Sequence, residues 1–128
     1  MKKVLSLALL LTLINVAFAQ SSKKDKCSIL KNGTFKYLDS DDSTAYFVIN
    51  AESHTEYFKN NAFEIKSKVT WINSCSYKML MLSNTVPDFP FKPGQTMTVT
   101  VDKIEDGIIY YTSQVEDKKW KGRLVKVN

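Results

Sequence analysis

From Cys27 onward apolar and polar residues alternate with a period of two almost throughout, and turn-forming residues interrupt the alternation every eight to twelve positions. Successive side chains of a strand point to opposite faces, so this rhythm predicts half-buried β-strands and not amphipathic helices. "TFKYL" sets Phe35 and Tyr37 against Thr34, Lys36 and Leu38, and it ends in the turn "DSDDS". "TAYFVIN" is an almost unbroken apolar run, which predicts a strand covered on both sides or lying at a tight sheet junction. "HTEYF" follows. The clearest strand is "FEIKSKVTWI", with Phe63, Ile65, Val69 and Trp71 on one face and Glu64, Lys66, Lys68 and Thr70 on the other.

"SYKMLML" answers it, with Tyr77, Met79 and Met81 sharing a face. "TMTVTVDKI" and "IIYYTS" flank Asp106-Gly107, the strongest two-residue hairpin signal in the chain, and "WKGRLVKV" is the last run. The intervening "SNTVPDFPFKPGQ" holds Pro87, Pro90 and Pro93 together with Gly94, so it is a loop and not a central strand. Eight short strands with short connections predict an antiparallel meander, because parallel pairs need crossovers of roughly a dozen residues. The fold class is therefore all-β. An up-and-down barrel removes the sheet edges of so small a chain and is preferred, with a β-sandwich as the alternative.

Cys75 stands between two of these strands. If Trp71 and Tyr77 share the inner face with Val69 and Met79, Trp71 faces Tyr77 and Ile72 faces Ser76, leaving Asn73-Ser74-Cys75 as a three-residue connection. Cys75 is then at a hairpin end, free to reach Cys27, the only other cysteine. A Cys27–Cys75 disulfide is the simplest use of two cysteines in a small exported chain.

Export is expected from the first residues. Met1-Lys2-Lys3, the apolar run Val4 to Phe18 and Ala17-Phe18-Ala19 make the charged, apolar and small-residue regions of a secretory signal peptide cut after Ala19. The run is shorter than a membrane span, and Cys27 after "KKDK" is no lipid-attachment site, so no transmembrane or lipid anchor is expected in the mature chain. Residues 20–26 read as a flexible polar leader, and 27–128 as one domain of the periplasm or the cell exterior.

The net charge of +5 on 128 residues changes little. Lys2, Lys3, Lys23, Lys24 and Lys26 precede the domain, from Cys27 onward 13 basic residues face 12 acidic ones, and the lysines are spread singly among acids. A nucleic-acid surface would gather its cations on the fold, so no nucleic-acid partner is expected.

Candidate chemistry is sparse. Glu52, His54 and Glu56 project on one face of an extended "ESHTEY", a pattern that could hold a divalent ion or share a proton, but reads first as a solvated strand face. Asp39, Asp41 and Asp42 lack the glycine and distal glutamate of a calcium loop and read as a turn. No thiol-nucleophile signature surrounds either cysteine, and Cys27, Cys75 and His54 are too few for a recognisable metal site. No catalytic residue, metal or cofactor is expected. The inward aromatic and methionine set, Phe35, Tyr37, Trp71, Tyr77 and Met79, either fills the barrel or lines a small apolar cavity.

"NGTFKY" resembles the first strand of lipocalins and fatty-acid-binding proteins, which carry Gly-x-Trp there, with Gly33 at the Gly and Phe35 at the Trp. The resemblance implies a meander barrel for a small hydrophobic ligand, with Arg123 of "WKGRLV" as the basic residue that packs across the first-strand aromatic. The run of "LKNGTFKY", "W.N.C.Y" and "PFKPG" also resembles short exported bacterial proteins of no established activity, some of which carry a DNA topoisomerase label. That chemistry is not expected here, because the chain lacks a nucleotide-binding motif and begins with an export signal. The expected function is a non-enzymatic binding module of the cell envelope holding a small apolar ligand. The alternative is a structural or protein-interaction domain that uses Phe89 and Phe91, exposed on the proline-rich loop, as anchors.

Overall fold

A computed structural model describes residues 26–128. The expected signal peptide (1–19) and all of the leader except Lys26 lie outside the described residues. Eight strands follow a short 3-10 helix at Cys27–Leu30: β1 (Asn32–Tyr37), β2 (Tyr46–Asn50), β3 (Ser53–Phe58), β4 (Phe63–Asn73), β5 (Ser76–Asn84), β6 (Thr96–Glu105), β7 (Ile108–Val115) and β8 (Lys118–Lys126). Each pairs antiparallel with the next, and β8 returns to β1, so the meander closes into a barrel. The eight runs and the up-and-down order expected from the alternation are all present.

Turn chemistry sets the register. Asp106 and Gly107 both adopt positive φ, at 53° and 78°, as a type I′ hairpin requires. Ala51 and Glu52 join β2 to β3, and Glu116 and Asp117 join β7 to β8, in equally short turns. With each register pinned, one parity of every strand faces inward: Phe35, Phe47 and Ile49, Ile65 and Val69, Tyr77 and Met79, Val99 and Val101, Ile109, and Leu124 are all buried.

Two sequence expectations need correction. Trp71 does face Tyr77 and Val69 does face Met79, but Ser76 pairs with Asn73 and not with Ile72. Ile72 is extruded as a bulge, is 54% exposed, and leaves Ser74-Cys75 as a two-residue connection. A bulge costs one unpaired residue and lets a tight turn keep both aromatic side chains inside. The second correction concerns β2, which is covered on one side only. Phe47 and Ile49 are buried while Val48 is exposed, and the outward Tyr46 is satisfied by stacking on Tyr57 of β3 at 4.9 Å between ring centroids.

The 3-10 helix stops one end of the barrel. Its Leu30 is buried, and Cys27 is bonded to Cys75 at a Cα–Cα distance of 5.2 Å, 48 residues apart in sequence. On chain-entropy grounds a loop of that length contributes about 4 kcal/mol. A domain of this size has only about 5–15 kcal/mol in total.

No helix among the described residues is long and apolar enough to cross a membrane. Reducing the disulfide, or replacing both cysteines by Cys27→Ser and Cys75→Ser, is expected to lower the unfolding free energy by about 2–4 kcal/mol, read from urea titrations with and without reductant. An unchanged midpoint would show that the plug holds without its covalent tie.

Candidate functional site

The barrel is solid at the plugged end and hollow at the other. Near the plug, Leu30, Phe35, Ile49, Val101 and Ile109 are buried against one another, and Phe35 stacks on Phe47 at 5.0 Å. Toward the end carrying the β1–β2, β3–β4, β5–β6 and β7–β8 loops lies a cavity of about 380 Å3. Small-molecule sites run from roughly 300 to 1,000 Å3.

Its volume comes from small inward residues. Ser67 on β4, Ser113 on β7 and Gly122 on β8 occupy lining positions where larger side chains would fill the space. A Cβ at Gly122 would collide with the Tyr111 ring, so the ring lies flat against the wall only because that residue is glycine. The remaining wall is apolar or aromatic, including Phe47, Phe58, Ile65, Tyr77, Met79, Met81, Met97, Val99 and Leu124.

Of the five residues singled out in the sequence, Tyr37, Tyr77 and Met79 line this cavity. Phe35 and Trp71 do not. Phe35 is fully buried beneath Phe47, and Trp71 packs at the plugged end. There its Nε1 donates to the Ala51 carbonyl at 2.9 Å, its ring lies 4.8 Å from that of Tyr77, and the Lys31 ammonium sits 5.6 Å from its centroid. Both residues face inward as expected, but they belong to the filled half.

The largest revision concerns "ESHTEY". It is not a solvated face: Glu52 is exposed in the β2–β3 turn, while His54 and Glu56 point into the barrel beside Phe47 and Ile65. His54 is buried and stacked on Phe47 at 4.3 Å, and burial pushes its pKa down from 6.5 to about 3, so the imidazole is neutral at physiological pH. Burial raises the Glu56 carboxyl above its ordinary value, and the hydrogen bond donated by the Tyr37 hydroxyl partly offsets this. Burial and the nearby Glu56 in turn raise the tyrosines: Tyr37 strongly, Tyr77 as well, and Tyr111 to about 12. All three remain phenols, with the Tyr37 donor already given to Glu56.

The proline-rich loop also lies differently from expectation. Phe89 and Phe91 are half-buried over the cavity mouth, 5.8 Å apart, with Phe91 stacked on Trp120 of β8 at 5.8 Å. Apolar rings beside an apolar opening cover more surface there than in solvent, which turns the would-be anchors into a rim. Both rings stay partly exposed at that rim.

Arg123 does not cross the first-strand aromatic. It lies on the outward parity of β8 and pairs with Asp39 at 2.7 Å. Lys126 lies on the inward parity, with its Nζ 5.8 Å from the Phe35 centroid and donating to the Ile29 carbonyl at 3.1 Å. Asp42, expected in a turn, accepts from Thr44 and from the Lys59 amide, tying that turn to the β3–β4 turn.

Among the described residues no three His, Cys, Asp or Glu side chains gather into a group that could hold a metal. Both cysteines are consumed in the disulfide, so neither offers a thiol. No family model matches the chain, nor does any curated protein or solved structure.

The buried imidazole has a definite pH signature. Its folded pKa lies below its unfolded one, so the stability it confers is present above pH 6.5 and is lost as pH falls toward about 3. Glu56, with a raised folded pKa, acts with the opposite sign, so the His54 contribution is read as a difference. Relative to His54→Phe, which keeps a ring against Phe47, the wild type is expected to lose up to about 1.4 kcal/mol per pH unit across that window. Nitrogen chemical shifts of His54 should show a neutral ring at pH 5; a protonated ring there would contradict the placement.

Proposed function

We propose that this protein is an exported, non-enzymatic binding module that carries one small, mainly apolar molecule inside its barrel. The observation that carries the reading is the cavity of about 380 Å3, bounded by a plug at one end and an aromatic rim at the other. Burying apolar ligand surface there supplies affinity at roughly 25 cal/mol per Å2, and the few inward polar groups supply orientation. The methionines Met79, Met81 and Met97 supply a wall that adapts to ligand shape. A non-catalytic role is supported by the polar groups themselves. His54 is a neutral ring stacked on Phe47, and Glu56 accepts from Tyr37 while facing the cavity, an arrangement that suits holding a ligand's head group. A disulfide joining the plug to the β4–β5 turn suits an oxidising compartment, in keeping with export.

Native mass spectrometry of protein purified from its own host is expected to reveal a bound small molecule. The emptied protein should then take up one equivalent of an environment-sensitive apolar dye. Ser113→Phe, which places a ring in the cavity, should abolish uptake while circular dichroism still reports the barrel. A clean apo mass with no dye uptake, or uptake unaffected by the added ring, would rule this function out.

A further inference from the structure

We infer that the cavity selects a cationic amphiphile, an aliphatic amine whose ammonium pairs with Glu56 and whose chain runs toward the aromatic rim. This rests on the carrier reading above and adds the chemistry of the head group.

The inference begins from a charge count inside the barrel. Four ionisable acidic or basic side chains other than tyrosine line the cavity: Asp39, His54, Glu56 and Lys121. Asp39 is at the mouth and already paired with Arg123 at 2.7 Å, and Lys121, also at the mouth, reaches Asp102 at 3.5 Å on the outer surface. His54 is a neutral ring stacked on Phe47. Two lysines of β8 lie on its inward parity: Lys118 is exposed at the β7–β8 turn and does not line the cavity, and Lys126 is committed at the plugged end to Phe35 and the Ile29 carbonyl. Among the described residues Glu56 is thus the single interior carboxyl, and no cation of theirs answers it.

Its surroundings suit an ammonium better than any other head group. A carboxylate offers about four acceptor sites, and among the described residues the Tyr37 hydroxyl takes one. Glu56 keeps part of its surface accessible, and it lines the cavity, so the unused acceptors face the space a ligand would enter. Around it stand the rings of Tyr37, Phe47, Tyr77 and Tyr111, whose faces attract a cation within about 6 Å. An alkanoate, by contrast, would set a carboxylate beside the Glu56 carboxyl with no cation to neutralise it, and burying an unpaired charge is costly. An alkanol could hydrogen-bond but would gain neither the ion pair nor the ring faces.

Ligands with a straight chain of nine or ten carbons and different head groups test this, because the apolar contribution is then nearly constant. Displacement of the apolar dye at pH 7 should rank decylamine at least about tenfold tighter than decanol, with decanoate the weakest. N-Acetyl-decylamine, which keeps the chain and loses the charge, should fall to the affinity of decanol. Glu56→Gln should bring decylamine to within about threefold of decanol. Decylamine binding no tighter than decanol, acetylation leaving affinity unchanged, or a preference that survives Glu56→Gln would each overturn the inference while leaving the carrier reading intact. If the dye and all four ligands fail to bind, the carrier reading itself falls and this one with it. The acetylated ligand needs no variant, so the inference stays falsifiable even if Glu56→Gln does not fold.

Discussion

Everything in this fold depends on the seam where the last strand returns to the first. β1 and β8 share only three paired positions, Phe35 with Lys126, Lys36 with Val125 and Tyr37 with Leu124. The seam is extended beyond them by backbone bonds: Thr34 donates to Asn128, Val127 to Thr34, and Leu38 to the Arg123 carbonyl. Gly33 makes the lower part possible. Its φ of 142° and missing Cβ let the Asn128 carbonyl pass where a side chain would stand 2.6 Å away. Side chains then latch the seam at both ends, Lys126 across Phe35 on the inside and Arg123 to Asp39 outside. Closure abolishes the free edges that would otherwise invite pairing with another chain, and it forces one parity of all eight strands into a common interior.

How that interior is divided follows from side-chain size. Where the seam meets the 3-10 plug, Leu30, Phe35, Ile49, Val101 and Ile109 are large enough to touch, and the barrel is a core. One or two residue pairs further along, the inward positions include Ser67, Ser113 and Gly122, and the opposing walls no longer meet. The same eight strands therefore make a packed half that supplies stability and an open half that supplies a site.

The packed half was legible in the sequence and the open half much less so. Alternation identified every strand, Asp106-Gly107 marked its hairpin, and the need to bury Trp71 with Tyr77 placed Cys75 within reach of Cys27. These features are local, and a single strand pair decides them. The extruded Ile72 was missed because a bulge and a longer turn satisfy the same face-matching condition. His54 and Glu56 were read as solvated because the two faces of "HTEYF" each carry an aromatic, Phe58 on one and Tyr57 on the other, so parity alone left the inner face undecided. The register with β2 decides it: a two-residue turn at Ala51-Glu52 sets Glu56 opposite Phe47. Phe89 and Phe91 were read as exposed anchors because nothing local announces that a loop of 85–95 folds back onto Trp120, 29 positions beyond Phe91 in the chain.

An open, partly polar interior weakens a barrel. Lining positions held by Ser67, Ser113 and Gly122 forgo dispersion contacts that larger side chains would make, and His54 and Glu56 are held in a medium that resists charging them. In a domain whose margin is about 5–15 kcal/mol, those losses have to be offset elsewhere. The offset lies at the opposite end, where the Cys27–Cys75 bond fixes the plug over the solid core and contributes about 4 kcal/mol largely by restricting the unfolded chain. Stabilisation of that kind asks nothing of the cavity walls. The staple and the hollow are in this sense one design: a covalent constraint at the plugged end permits unfilled space and an interior carboxyl at the mouth end, where a ligand can use them.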